Sequence, residues 1–236
     1  KKIREGEIKG INITVPFKTK FIDALDEVDE SAKLAKAINT IYKEGKKIIG
    51  TNTDGIGFCT SLKEDFNFVV PSTIGILGSG GAAFGILSEL IKYEPYSIEI
   101  WNRTISNAKK LVDNFKISGI SKKTNWNIHN LSEGVHSCIG LFINTSYLGM
   151  KVDHKIDNGF LHLMSRQGFV YDINYNQEFT IFNQMADNSG IDPQKNVNGK
   201  YMLIRQAAES FKKWLCISGD FECSTGLPTT YNFFIF

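Results

Sequence analysis

Cysteine and histidine are sparse in this sequence, and neither is arranged for metal or redox chemistry. The four cysteines include no C-x-x-C pair, and the four histidines make no metal-ligand pattern with them. These residues are Cys59, Cys138, Cys216, Cys223, His129, His136, His154 and His162. We therefore expect no bound metal, and free thiols in a reducing cytoplasm.

Strong charge and long apolar runs are also missing. The chain carries 27 basic and 25 acidic residues, a net charge of +2, which gives no electrostatic case for a nucleic acid or a membrane as partner. No apolar run reaches the length of a membrane span, and no signal peptide is visible. The sequence begins with Lys1-Lys2 rather than Met, and we expect that an N-terminal piece is missing.

Residues 71 to 104 carry the clearest functional pattern. An apolar strand, Thr73 to Leu77, runs into the glycine-rich turn Gly78-Ser-Gly-Gly-Ala82, and the turn opens a helix that reaches Tyr93. In the pattern G-x-G-x-x-G/A, one glycine permits the tight turn and the next lets the backbone approach a pyrophosphate. Free N–H groups at the helix start then bind the phosphates. A flexible loop is the alternative, but the flanking strand and helix favour a dinucleotide site.

The second strand of this unit ends on Asn102-Arg103-Thr104. In sites that bind NAD, an Asp or Glu about 20 residues after the glycines bonds the ribose 2′-hydroxyl. A carboxylate there would repel a 2′-phosphate, whereas the guanidinium of Arg103 can hold one in a bidentate pair. The sequence therefore predicts NADP rather than NAD. The alternative interpretation of Arg103 is a solvated surface arginine.

Strands and helices alternate along a chain of 236 residues, 42% of them hydrophobic, which is a globular composition. This alternation predicts an α/β fold with a parallel sheet covered by helices. We predict further strands at 10–17, 40–42, 46–49, 124–128, 139–144 and 169–173, and further helices at 29–37, 56–62, 106–115, 180–188 and 200–215. Glu44-Gly45 is a hairpin signal. The tail from Ser224 to Phe236 is aromatic at its end and has no helical period.

Two polar segments precede the nucleotide unit. Lys18 follows a strand end that Pro16 fixes, and Asp54 lies in the turn Asn52-Thr-Asp-Gly55. A lysine and a carboxylate at the mouth of a cofactor cleft suit carbonyl reduction, because the ammonium can give a proton to the developing alkoxide while hydride arrives from a nicotinamide. The carboxylate would hold the amine in place. A solvated lysine and an ordinary turn aspartate are the alternative.

Short motifs follow one another in a fixed order over most of the chain, from about Gly10 to Trp214. They are Asn12-Ile-Thr-Val-Pro-Phe-Lys18, Ala37-Ile-Asn-Thr40, Asn52-Thr-Asp-Gly55, Gly78-Ser-Gly-Gly-Ala82, Asn102-Arg-Thr104, Asn144-Thr-Ser146, Tyr171-Asp-Ile-Asn-Tyr175 and Gln206-Ala-Ala208. In this order they resemble the shikimate dehydrogenases. Any one motif is modest, whereas the full set in register is highly specific.

The resemblance implies an activity and a domain organisation. The family reduces 3-dehydroshikimate to shikimate with NADPH, in the pathway to aromatic amino acids. Its fold implies a Rossmann-type parallel-sheet NADP domain at residues 57–199. It also implies an incomplete N-terminal α/β substrate-binding domain, made of residues 1–56 and 200–236. The implied partner is a small-molecule substrate, bound by a monomer or a homodimer.

The resemblance also implies roles for individual residues. The catalytic pair would be Lys18 and Asp54. The substrate ligands would be Thr14, Asn39, Tyr175 and Gln206. The cofactor residues would be Gly78, Ser79, Gly80, Gly81 and Ala82 at the pyrophosphate, Asn102, Arg103 and Thr104 at the 2′-phosphate, and Thr145 and Gly199 near the ribose or nicotinamide.

The sequence departs from the family pattern in places. The family's Ser-x-Ser substrate motif and the first strands of its substrate domain are absent. Asn107 stands where a second basic residue often follows, and Tyr201 replaces a glycine near the nicotinamide end. Two other functions stay open: a quinate/shikimate dehydrogenase that uses NAD, and a non-catalytic NADP-binding fragment of a larger pathway enzyme.

Overall fold

The computed structural model describes residues 2–14, 16–136, 138–147, 160–161 and 164–215, and the structural statements below concern these. Cys216, Cys223, His154, His162 and the aromatic tail lie outside them. Among the described residues, no helix is both long and apolar enough to cross a membrane. The same residues contain no group of three or more His, Cys, Asp or Glu that could hold a metal ion.

The N-terminal part of the chain forms a small mixed sheet. Its elements are α1 (Lys2–Glu5), β1 (Gly10–Asn12), β2 (Glu27–Val28), α2 (Glu30–Ala35), β3 (Thr40–Glu44) and β4 (Lys47–Thr51). The described strands lie in the order β1-β3-β4-β2, with β2 parallel to β4 and the other neighbours antiparallel. The hairpin predicted at Glu44-Gly45 is confirmed, and Gly45 takes a φ of +58° there, which glycine adopts without strain.

Strand β1 is shorter than the sequence predicts. The prediction of a strand over 10–17 is wrong beyond Asn12, where pairing with β3 ends. The Phe17 N–H donates to the Thr14 carbonyl (2.9 Å), which closes a turn. Pro16 has no N–H to give to a ladder. The residues after Asn12 therefore form a loop.

Helix α3 (Asp54–Thr60) leads from the first sheet to the second and continues as a π-helical turn, Ser61–Asp65. It begins two residues before the predicted helix, because the polar turn supplies its first residue. The elements that follow are β5 (Thr73–Leu77), α4 (Gly81–Leu90), β6 (Ser97–Trp101), α5 (Ile105–Ile117), β7 (Asn125–His129), β8 (Leu141–Asn144), β9 (Phe169–Asp172), α6 (Ile181–Asn188), β10 (Asn196–Val197) and α7 (Lys200–Leu215).

The second sheet is parallel throughout its described strands, which lie in the order β10-β9-β8-β5-β6-β7. The chain moves outward from β5 to β7, returns to β8 beside β5, and then moves outward in the other direction. Rossmann folds bind dinucleotides at such a reversal, at the carboxyl ends of the strands. The predicted α/β fold with a Rossmann-type parallel sheet is confirmed, and β10 is a strand that the sequence did not predict.

Helices α3 and α7 connect the two sheets. One buried cluster joins residues of the second sheet to both helices: Ile74, Ile76, Ile98, Ile100, Phe58, Leu62 and Met202. Farther along α7, Ser210 Oγ lies 2.6 Å from Thr40 Oγ1 in β3 of the first sheet. Residues carried by α3 and α7 therefore lie where the two sheets meet.

Candidate active site

A lysine–aspartate ion pair lies where α3 leaves the first sheet. Lys18 Nζ is 2.6 Å from Asp54 Oδ2, and the two side chains are 21% and 8% exposed. Lys18 comes from the loop after β1, and Asp54 is the first residue of α3. The carboxylate is therefore buried, while the ammonium keeps some access to a ligand.

Close helix packing fixes the backbone around Asp54. Its N–H donates to Asn52 Oδ1 (3.0 Å), and Asn52 Nδ2 donates to the Ala37 carbonyl (3.0 Å). A Cβ on Gly55 would lie 2.3 Å from the carbonyl oxygen of Gly85 in α4, so only glycine permits this crossing. The ion pair is thereby held beside the first turns of α4, the helix that the glycine-rich turn opens.

Asn39 organises the polar groups around the pair. Its Nδ2 donates to Asp54 Oδ1 (2.8 Å) and Thr53 Oγ1 (2.9 Å), and more weakly to Gln206 Oε1 (3.3 Å). Its Oδ1 accepts from the Thr53 N–H (2.9 Å). Asn39 is buried, and a buried amide with partners on both atoms has a defined orientation. Asn39 therefore holds Oδ1 of Asp54, while Lys18 holds Oδ2.

Helix α7 brings residues from the end of the described chain to this cluster. The Gln206 carbonyl accepts from Thr53 Oγ1 (3.0 Å), and Ser210 Oγ lies 2.6 Å from Thr40 Oγ1. A Cβ on Gly57 of α3 would lie 2.6 Å from Gln206 Cβ. The absence of a side chain at Gly57 therefore lets the two helices approach closely enough for these bonds.

Two residues implied by the resemblance stay outside these hydrogen bonds. Thr14 is exposed on the loop after β1, and Tyr175, on the loop after β9, is 50% exposed. In the described part of the chain neither bonds to Lys18 or Asp54. The structure thus brings together Lys18, Asp54, Asn39 and Gln206, and does not join Thr14 and Tyr175 to them.

The glycine-rich turn leaves open space beside Gly80 and Gly81. Gly78 takes a φ of +105°, and its N–H donates to the Trp101 carbonyl (2.8 Å). A Cβ on either Gly80 or Gly81, at the start of α4, would meet nothing within 4 Å. The turn also contains Ser79 and Ala82, which are half-buried. This space over a helix N-terminus fits a pyrophosphate, because the first N–H groups of a helix have no partner within it.

Two further positions lie on the β8 and β9 side of the turn. Thr145 follows β8 and donates from Oγ1 to the Leu77 carbonyl (2.9 Å). The N–H of Gly199 donates to the Asn174 carbonyl (3.1 Å), and a Cβ there would lie 2.0 Å from the Ile173 carbonyl oxygen. The start of α7 therefore lies against the loop after β9, and only glycine fits at this contact.

Arg103 lies at the end of β6, on the other side of the turn. It is exposed and makes no hydrogen bond or ion pair within the described residues. The neighbouring backbone is ordered, because the Asn102 N–H donates to the His129 carbonyl (3.2 Å) and Asn102 Nδ2 donates to the Thr104 carbonyl (2.7 Å). The guanidinium is therefore available to an anion next to the turn.

The sequence predicted no role for three buried polar residues of the structure. Thr53 stands beside Asp54 in the motif Asn52-Thr-Asp-Gly55. Ser210 follows Gln206 by four residues, so helical spacing alone could have indicated that Ser210 lies on the same face of the helix. Asp172 lies in the motif Tyr171-Asp-Ile-Asn-Tyr175. It is fully buried, and burial raises the pKa of its carboxyl to about 6.

A family model and curated proteins that are similar to this chain are described by the name shikimate dehydrogenase. The family model described as "Shikimate dehydrogenase substrate binding domain" matches residues 1–41. The shikimate dehydrogenase (NADP(+)) of Prochlorococcus marinus subsp. pastoris is 37% identical over 222 residues, which cover 90% of this chain and 74% of that protein.

Solved structures share the fold. A crystal structure of a shikimate dehydrogenase in complex with NADP+ is 31% identical, with a TM-score of 0.77 over 91% of this chain and 73% of that one. The shikimate 5-dehydrogenase of Thermus thermophilus, in complex with NADP(H) and shikimate, is 25% identical, with a TM-score of 0.75 over 93% of this chain and 77% of that one.

Proposed function

This chain belongs to the shikimate dehydrogenase family, and we propose that it reduces 3-dehydroshikimate to shikimate with NADPH in the pathway to aromatic amino acids. The observation that carries the proposal is the ion pair between Lys18 Nζ and Asp54 Oδ2 at 2.6 Å, next to the helix that follows the glycine-rich turn. The similar proteins include a shikimate dehydrogenase (NADP(+)) and a structure in complex with NADP(H) and shikimate, which supports the choice of cofactor and substrate.

We propose that Lys18 is the proton donor for the carbonyl oxygen. An ammonium can hydrogen-bond the ketone and give up a proton as negative charge develops on the oxygen. Asp54 holds Nζ through Oδ2, and Asn39 fixes Asp54 through Oδ1 (2.8 Å). Asp54 and Asn39 are both buried, so their rotation is restricted. Together they therefore fix the position from which Lys18 Nζ would donate its proton.

The residues of the second sheet fit a phosphorylated dinucleotide. The open amides at Gly80 and Gly81 would hold the pyrophosphate, and Arg103, with Asn102 and Thr104 beside it, would hold the 2′-phosphate. When bound, the reduced nicotinamide supplies a hydride to the ketone carbon.

The substrate is a small polyhydroxylated acid, and it needs polar side chains around it. Asn39 and Gln206 already share a hydrogen bond at 3.3 Å, which a substrate hydroxyl can replace. Thr14 and Tyr175 are exposed on loops and have side-chain oxygens to offer. We propose that these four residues bind the hydroxyls and the carboxylate.

The proposed domain division assigns residues 1–56 and 200–236 to substrate binding and residues 57–199 to NADP binding. In its support, the described strands of the first sheet fall within 10–51 and those of the second within 73–197. Helix α7 returns to the first sheet through the contact between Ser210 and Thr40. Positions 1, 15, 137, 148–159, 162–163 and 216–236 of this division lie outside the described residues.

The experiment is an assay of shikimate oxidation by this chain, with NADP and NAD in parallel and with quinate as the second substrate. We expect reduced cofactor to form from shikimate and NADP, and faster than with NAD. Faster oxidation of quinate with NAD would favour the quinate/shikimate alternative. Binding of NADPH without any turnover would favour the non-catalytic fragment and overturn the proposal.

A further inference from the structure

A buried carboxylate, that of Asp172, lies at the carboxyl end of β9. The residues proposed above for catalysis, substrate binding and cofactor binding do not include it. Asp172 has 0% of its surface exposed. Its Oδ1 accepts from Asn144 Nδ2 (3.0 Å) and from both the backbone N–H (3.1 Å) and Nδ2 (2.8 Å) of Asn174. Its Oδ2 accepts from Thr180 Oγ1 (2.7 Å), the residue that caps α6. Donors from β8, the loop after β9 and α6 therefore converge on one side chain.

The partners of Asp172 in turn hold the neighbouring loops. Asn144 Oδ1 accepts from the N–H (3.0 Å) and Oγ (2.7 Å) of Ser146, after β8. Asn174 Nδ2 also donates to the Ser146 carbonyl (3.1 Å), and the Asn174 carbonyl accepts from the Gly199 N–H (3.1 Å), before α7. The loop after β8, the loop after β9 and the start of α7 are thus tied to one carboxylate.

The dinucleotide has to extend over this edge of the sheet. If its pyrophosphate binds the glycine-rich turn and its adenosine half reaches Arg103 beyond β6, its other half lies over the ends of β8 and β9. Thr145 and Tyr175 are next in sequence to Ser146 and Asn174, and Gly199 bonds to Asn174 directly. The network centred on Asp172 therefore underlies the nicotinamide half of the proposed cofactor site.

We propose that Asp172 is a positioning residue that sets the geometry of this nicotinamide half-site. It acts through Asn144 and Asn174 and need not touch either ligand. The inference rests on the proposed function, which gives the orientation of the dinucleotide. A carboxylate that only stabilised the fold would affect the two halves of the cofactor site alike.

Two substitutions separate the shape of the side chain from its hydrogen bonds. Asp172→Asn keeps an oxygen for the donors on Asn144 and Asn174. Its new amide can donate to Thr180 Oγ1, whose own hydrogen can pass to Asn183 Oδ1 at 2.9 Å. Asp172→Ala removes both acceptors, so the Asn174 backbone N–H loses this acceptor and the side chains of Asn144, Asn174 and Thr180 each lose one hydrogen bond.

Asn196→Ala is the matched control. Asn196 is a buried residue of β10, the strand next to β9, and it exchanges hydrogen bonds with the side chain and the carbonyl of Asn183 (2.8 Å each). The substitution therefore removes buried hydrogen bonds from the same edge of the sheet. Neither of these hydrogen bonds involves the loops that carry Thr145, Tyr175 or Gly199.

The experiment compares two ligands on the intact chain: NADP, and 2′-phospho-ADP-ribose, which lacks the nicotinamide. In Asp172→Ala we expect the Kd of NADP to rise about tenfold, the equivalent of one buried hydrogen bond, with the Kd of the fragment near its wild-type value. We expect kcat for shikimate oxidation to fall about 100-fold, because misplaced reacting atoms slow the transfer. Asp172→Asn should restore both quantities, and Asn196→Ala should lower stability alone.

If Asp172→Ala raises the Kd of NADP and the Kd of 2′-phospho-ADP-ribose equally, or leaves kcat unchanged, the positioning role is overturned. If Asp172→Ala does not fold, Asn174→Ala removes the side-chain donor to Oδ1 and keeps the backbone N–H that also donates to it, and the same contrast between ligands is expected of it. A wild-type chain that binds both ligands but oxidises no shikimate would refute the proposed function, and the binding contrast would still test Asp172.

Discussion

The two parts of the candidate site depend on opposite properties of the chain. Around the ion pair, Asn39 joins Asp54 and Gln206, which lie 15 and 167 positions away in sequence, through side-chain hydrogen bonds. At the nucleotide turn, Gly80 and Gly81 contribute open space and backbone N–H groups. The first part should therefore be sensitive to the loss of a side chain, and the second to the gain of one.

Removal of the Lys18 amine is the most severe test of the side-chain part. We expect Lys18→Ala to lower kcat about 10²–10⁴-fold, because the proton donor is lost, and to leave NADPH binding unchanged. The matched control is Lys20→Ala, which removes an exposed lysine 5.2 Å from the Phe17 ring on the same loop. Equal losses in steady-state kcat for the two variants would contradict the comparison.

The two buried aspartates sharpen the comparison, because Asp54 faces an ammonium whereas the described hydrogen bonds of Asp172 come from neutral groups. Burial raises the pKa of Asp172 to about 6. The folded state thus binds more protons than the unfolded state between about pH 4 and pH 6. The contribution of Asp172 to stability is present below that range and is lost as the pH rises through it.

Asp172→Asn has no proton to lose at this position. We expect its free energy of unfolding, relative to wild type, to rise by up to about 3 kcal/mol between about pH 4 and pH 7. Urea unfolding of both proteins across this range measures the difference. A difference that does not change with pH would show that Asp172 is not protonated in the folded state at the lower end.

Arg103 tests the nucleotide part of the site. Unlike Gly80 and Gly81, it is proposed to contribute a side chain, the guanidinium that binds the 2′-phosphate. We expect Arg103→Ala to weaken NADP binding by about 1.5–3 kcal/mol, because a charge-assisted hydrogen bond is lost. NAD has no 2′-phosphate and should bind as before. Lys109→Ala, an exposed lysine of α5, is the control. Titration of both cofactors decides the matter, since equal loss for NADP and NAD would remove Arg103 from the phosphate site.

A single added methyl group should act differently in the two parts. Gly57→Ala would place a Cβ 2.6 Å from Gln206 Cβ, and we expect it to lower the free energy of unfolding by about 1–3 kcal/mol. Gly80→Ala meets nothing within 4 Å, so we expect a change of about 0.5 kcal/mol or less but weaker NADP binding. Denaturant titration and cofactor titration of both variants would contradict the comparison if Gly80→Ala unfolded more easily than Gly57→Ala.

Local pattern was enough to predict five of the six described strands of the second sheet. The strand, turn and helix from Thr73 to Leu90 follow from apolar period and glycine placement, both of which act within a few residues. The N-terminal strand was predicted too long, because a turn between Thr14 and Phe17 ends its pairing. Strand β10, only Asn196–Val197, is too short to leave a periodic signal.

The site shows the same division. The glycine-rich turn and Arg103 could be indicated from the residues alone, since both belong to one local unit. The contacts of Asn39 with Gln206, and of Thr40 with Ser210, join positions that are far apart in sequence. Such pairs depend on how α7 packs against α3, which no local pattern encodes. They became visible only through the fold.

A crystal structure of this chain with NADP and shikimate would test the central claim most directly. The measured quantity is the distance from Lys18 Nζ to the hydroxyl oxygen of shikimate that becomes the ketone. The account predicts a hydrogen bond of about 3 Å between these atoms, with Asp54 still bonded to Nζ. A shikimate whose reacting hydroxyl faces another side chain, with Lys18 turned away from it, would contradict the account.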